Sequence, residues 1–92
     1  MIVRISGEGQ FELADDEAGR LNELERAVIE AVEARSEGDY TAAFEALLDH
    51  VRDVGTQVPD EELEGSDVIL PPSDTTLEEA SKDFTGEGLI PD

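Results

Sequence analysis

Between Glu17 and Gly55 the chain twice repeats a helical apolar spacing, and everything else must pack against that stretch. Leu21, Leu24, Val28, Ala31 and Val32 recur every three or four residues, with Glu23, Glu25, Glu30 and Glu33 at the positions between them. That is the period of a one-sided helix. Tyr40, Phe44, Leu47, Val51 and Val54 repeat the pattern, thickened by Ala43 and Leu48. Between the runs, Gly38 is placed to take the left-handed conformation that ends a helix, and Asp39 to accept a bond from the amides that start the next. Gly55 then closes the second helix. A connection this short makes the two helices antiparallel neighbours.

The flanking segments supply strands. In Met1 to Ser6, Val3 and Ile5 alternate with Ile2 and Arg4; in Gln10 to Leu13, Phe11 and Leu13 alternate with Gln10 and Glu12. Each strand therefore offers one apolar face. Ser6-Gly7-Glu8-Gly9 is the turn of a hairpin, its glycines standing where positive φ is required. A phosphate loop is a poor reading of Gly7-Glu8-Gly9, because position 12 is Glu and Glu8 would place an anion against the phosphate. The carboxylates of Asp15, Asp16 and Glu17 suit the N-terminus of the first helix. Beyond Gly55, Val58 to Gly65 reads as an acidic helical turn opened by Pro59, without the ligand pattern of a calcium loop. Val68-Ile69-Leu70 is a short third strand, its lack of alternation predicting burial on both faces. Thr75 with Glu78 and Thr76 with Glu79 both fit a capping box for a last helix. That helix carries Leu77, Ala80 and Phe84 on one face and ends near Gly86. Leu89-Ile90-Pro91 is an apolar terminus expected to close over the core.

These elements predict one α+β domain spanning residues 1–92, a small single domain in the order ββααβα. Its N-terminal β-hairpin and short third strand pack on the antiparallel helical hairpin and the C-terminal helix. Phe11, Leu13, Leu24, Val28, Phe44, Leu47, Val51 and Ile69 are the expected core. Composition permits this: Ile, Val, Leu and Phe contribute 24 of 92 residues, enough for one modest core.

Charge is the other extreme feature. Twenty-five Asp and Glu oppose six Lys and Arg, a formal net charge of −19. Carboxylates spread over every segment, with a single Lys, are expected of a solvated surface adapted to molar salt, as in halophilic archaea, where screening relieves self-repulsion. The acidity then reports habitat, and no cationic partner follows from it. There is no Cys, so disulfides and thiolate metal sites are excluded. No apolar run approaches the length of a membrane span, and the start of the chain lacks the pattern of a signal peptide. The expected location is the cytoplasm.

Little in the sequence points to catalysis. His50, the single histidine, flanks the apolar stripe of the second helix and reads as a boundary residue rather than a general base. No Ser stands in a nucleophile elbow. No basic patch offers itself to nucleic acid, and molar salt weakens phosphate attraction.

Several segments carry a resemblance. Met1-Ile2-Val3-Arg4-Ile5 with Gly7-Glu8-Gly9-Gln10-Phe11, the helix start Leu21-Asn22-Glu23-Leu24, the run Ser66-Asp67-Val68-Ile69-Leu70-Pro71-Pro72-Ser73-Asp74-Thr75-Thr76-Leu77-Glu78-Glu79 and the closing Glu87-Gly88-Leu89-Ile90-Pro91 together resemble the phage-shock-protein-A-associated domain, PspAA. The most specific part is Ser66 to Asp74. The resemblance implies a non-enzymatic adaptor or regulator, without cofactor, metal or small-molecule substrate. Its implied partner is PspA, a coiled-coil membrane-remodelling protein of the envelope stress response, through which it would meet the membrane. The alternative expectation is a DNA-associated regulator with a winged-helix-like arrangement. Self-association is compatible with either. The expected partner-binding residues are Leu21, Ile29, Leu89 and Ile90: the first helix has more apolar surface than one neighbour covers, since Ala27, Ile29 and Ala34 widen its arc, and the terminus is apolar.

Overall fold

The computed structural model describes residues 1–59 and 65–83. β1 (Ile2–Ile5) and β2 (Gly9–Glu12) form the expected hairpin, followed by a 3-10 turn (Asp15–Glu17), α1 (Ala18–Glu33), α2 (Glu37–Val54), β3 (Thr56–Gln57), β4 (Val68–Leu70) and α3 (Leu77–Asp83). The hairpin turn rests on Gly7 at φ 85° and Gly9 at φ 113°, conformations glycine adopts without a Cβ penalty. One strand exceeds the expected order. β3 pairs antiparallel with β2 while β4 pairs parallel with β1, giving a four-stranded sheet in the order β3-β2-β1-β4.

Val3, Ile5, Phe11, Leu13, Val68 and Leu70 join Leu21, Val28, Tyr40, Phe44, Leu47, Leu48 and Val51 in one core cluster. Tyr40 and Phe44 stack with ring centroids 5.5 Å apart. The Tyr40 hydroxyl donates to the Thr75 carbonyl at 2.7 Å, tying α2 to the lead-in of α3. At that lead-in the two capping alternatives are resolved in favour of Thr76. The Glu79 N–H donates to Thr76 Oγ1 at 3.2 Å and the Thr76 N–H to Glu79 Oε1 at 3.1 Å, the reciprocal pair of a capping box. Thr75 instead donates its hydroxyl to the Pro72 carbonyl at 2.6 Å.

Four expectations are corrected. Ile69 is 58% exposed while Val68 and Leu70 are buried, so β4 alternates: only one of its faces meets the core, and a three-residue run was too short to show the period. Leu24 is half-buried and Val54 exposed, at the margins of their stripes. Glu25, placed among solvent positions, is buried at 4% exposure. No buried side-chain nitrogen or oxygen among the described residues lacks a hydrogen-bond partner, as the cost of desolvating a charge requires. Finally, the link between the helices lies three residues earlier than Gly38. Arg35 takes the left-handed conformation at φ 55°, its N–H donating to Val32 O and that of Ser36 to Ala31 O, both at 3.1 Å. This is a Schellman motif. Gly38 and Asp39 then fall inside α2, whose N-cap is Ser36. The acidic turn expected over 58–65 falls largely on residues 60–64, outside the described residues, as do Phe84 and the apolar terminus.

Candidate partner-binding surface

The surface of α1 and α2 follows from which residues the core takes. Along α1 the buried positions are Leu21, Glu25, Val28, Ala31 and Val32, and along α2 they are Tyr40, Phe44, Leu47, Leu48 and Val51. Among the described residues, two of the shallow grooves lie on the hairpin. One is lined by Ala27, Glu30, Ala31, Ala34, Asp39, Ala42 and Ala43, and its floor is nearly all alanine. The other, toward the far end of α2, is lined by Arg20, Leu24, Ala46, Asp49, His50, Arg52 and Asp53.

The second groove is held by ionic contacts. His50 Nε2 lies 2.9 Å from Glu17 Oε2, fastening the 3-10 turn to α2. Arg52 reaches the β1–β2 turn, donating Nε to Glu8 Oε1 at 2.8 Å and a terminal nitrogen to Glu8 Oε2 at 2.5 Å, while its other terminal nitrogen bonds Asp49 at 2.9 Å. The hydrogen bond from Arg52 holds the Glu8 carboxyl below its ordinary pKa, against the opposing effect of burial. Reciprocally, the bond to Glu8 raises the Arg52 guanidinium. These two-point contacts position elements. Glu17 engages the one imidazole in the chain as a structural link. Among the described residues no group of His, Asp and Glu is arranged to hold a metal ion, and no helix is long and apolar enough to cross a membrane.

Of the four residues expected to bind a partner, Leu21 and Ile29 are among those described. Leu21 is wholly buried, at 0% exposure, and Ile29 is half-buried and packed against the core cluster. Leu89 and Ile90 lie outside the described residues. The alanine-floored groove beside Ala27 and Ala34 was not singled out from the sequence. Its signal was the recurrence of Ala27, Ala31 and Ala34 on one helix and Ala42 and Ala43 on the next, which becomes a surface only when the two helices are set side by side.

Compared with known proteins, the chain matches no curated protein and no solved structure. The model of one family, PspAA, described as PspA-Associated protein, matches residues 1–92. With its whole length covered and its α+β fold on view, the chain belongs to the PspA-associated protein family.

Proposed function

We propose that this chain is a non-enzymatic adaptor that binds a PspA-like, coiled-coil, membrane-remodelling protein in the envelope stress response and meets the membrane only through it. The observation that carries the reading is the match of residues 1–92 to a family described by association with PspA. The helical hairpin supports it. A coiled coil presents helices, and a third helix approaches two others most closely where small side chains form the floor, as Ala27, Ala34, Ala42 and Ala43 do. Ile29, on the same helix, supplies a large apolar contact at the margin of the core. Leu89 and Ile90 are the second contact in this reading, and Leu21 acts beneath it as a core residue.

The test is purification of the full chain with the PspA-like protein of the same genome in about 1 M KCl, where the screening length is about 3 Å. The expected result is a stable complex by light scattering. Ala42→Arg, at an exposed position, should weaken it at least about tenfold, or about 1.4 kcal/mol, and leave the melting curve unchanged. Ile29→Asp should weaken it further, with some loss of stability because Ile29 also touches the core. A chain that shows no complex, or binds as well with Ala42→Arg and Ile29→Asp together, refutes the helical surface.

A further inference from the structure

The two edges of the sheet are finished differently. β3 presents Thr56 and Gln57, both exposed and polar, over two residues. β4, at the opposite edge, presents Ile69 between two buried neighbours, and at 58% exposure Ile69 is the more exposed of the two large apolar residues open to solvent among those described. Its backbone is as informative as its side chain. The Ser6 N–H donates to the Leu70 carbonyl at 3.1 Å, so the polar groups of Leu70 face β1. Because N–H and C=O directions alternate along a strand, those of Ile69 face outward, at the open edge. Natural edge strands are blunted by charge, proline or brevity. Here Pro71 and a three-residue length limit the edge, yet its central position holds isoleucine in a chain where Asp and Glu are everywhere else.

A second observation lies beside it. Arg4 is in register with Ile69 on the neighbouring strand and exposed on the same face. Arg20 and Arg52 are both ion-paired; Arg4, like Arg26 and Arg35, has no ion-pair partner among the described residues, and of these three it alone stands on the strand beside β4. An open donor and acceptor, an uncovered isoleucine and an arginine without an ion pair one strand inward make up the contacts of an added strand. Its backbone would bond Ile69, its outward apolar residue would pack on that side chain, and an adjacent carboxylate would reach across to Arg4.

We propose that the outer edge of β4 is a strand-addition site for an extended, acidic segment of a partner protein, separate from the helical surface. Main-chain hydrogen bonds supply most of the affinity in this mode, so a generic strand-forming peptide is a fair probe, and the side chains set preference. Edge-to-edge pairing of two copies would use the same backbone groups but would bring together two chains of net charge −19. A short acidic segment carries far less charge.

The test uses the full chain in about 1 M KCl, where local contacts outweigh the overall charge. Three synthetic peptides are added in turn: alternating Val and Thr with two Glu, the same with Lys for Glu, and the Glu peptide with a central Pro. The Glu peptide should slow hydrogen exchange at the Ile69 amide by at least about tenfold, and the Pro peptide should not. Ile69→Asp should abolish the effect with melting unchanged, since the side chain is outside the core. Arg4→Glu should reverse the preference between the Glu and Lys peptides. The proposal is overturned if millimolar Glu peptide leaves the Ile69 amide unprotected, or if Glu and Lys peptides protect equally in the wild-type chain. It is also overturned if protection rises with the concentration of the chain alone, which would make the occupant a second copy.

Discussion

The two ends of α2 solve the same problem, ending one element and starting another within three residues, by opposite means. At its start the chain turns through Arg35, a bulky residue in the left-handed region, with no glycine at the position that favours one. At its end stands Gly55, whose φ of −86° any residue can adopt. There glycine is needed for space. A Cβ built on Gly55 would lie 2.5 Å from the Val51 carbonyl oxygen, 2.9 Å from Phe11 Cβ and 3.0 Å from Leu13 Cδ1. Glycine thus marks where α2 closes against β2, and the left-handed turn is carried by a residue that composition would never nominate.

The largest expected effect follows from the crowded end. Gly55→Ala should cost about 2–4 kcal/mol, because the contacts include a backbone oxygen and a neighbouring Cβ that cannot swing away. Thermal or urea unfolding measures it. The damage should centre on β3, whose two residues pair with β2 immediately after the close approach. A variant as stable as the wild type would mean that α2 and β2 are not in contact at Gly55.

At the other end, two substitutions should both stabilise. Gly38 lies in the first turn of α2, where an added Cβ meets nothing within 4 Å. Gly38→Ala should therefore gain about 0.5–1 kcal/mol from reduced backbone freedom in the unfolded chain. Arg35→Gly relieves a left-handed conformation costing about 1–2 kcal/mol but frees the unfolded backbone, leaving a gain of about 0.5 kcal/mol. Were the helix boundary at Gly38, as the glycine pattern alone implies, Gly38→Ala would be destabilising. The sign of that one measurement fixes the register of the link.

These junctions also show where reading from sequence stops. The apolar periods of α1 and α2 were legible because each is long enough to repeat, whereas the alternation of β1 and β2 placed Val3, Ile5 and Phe11 in the core but not the burial of Ile2 and Gln10 on the opposite face. The left-handed turn at Arg35 was not, since it is fixed by where α1 loses contact with the core, and Gly38 three residues on was a more plausible candidate. β3 has no apolar pattern and exists because Gly55 lets the chain fall beside β2. The outward face of Ile69 depends on the parallel pairing of β4 with β1, a tertiary fact. For the candidate surface, the width of the apolar arc on α1 was visible. Which of its residues α2 would consume was not, and so Leu21 and Ile29 looked alike although one is wholly buried and the other is not.

The smallest effect concerns the clamp that only the second junction has. Arg52, near the end of α2, holds Glu8 on the hairpin turn, whereas Arg35 makes no ion pair among the described residues. Because Glu8 has a lowered pKa in the folded chain, its contribution is present above the ordinary carboxylate pKa and is lost as pH falls through the folded value. Both side chains are partly exposed, with relative accessibilities of 37% and 30%, so Arg52→Gln should cost only about 0.2–0.4 kcal/mol at neutral pH. That deficit should fade below the folded pKa of Glu8. Salt separates this clamp from the charge of the whole chain. As KCl rises from about 0.1 M to about 1 M the screening length falls from about 10 Å to about 3 Å. Repulsion among 25 carboxylates weakens, and the wild-type melting midpoint should climb. Over the same range the gap between wild type and Arg52→Gln should narrow, because a partly exposed attraction is screened with the rest. Melting curves of both proteins across a KCl series check the two trends together. A flat wild-type midpoint would refute adaptation to salt, and a gap that widened would show that Arg52 acts through packing of its aliphatic stem rather than through its bond to Glu8.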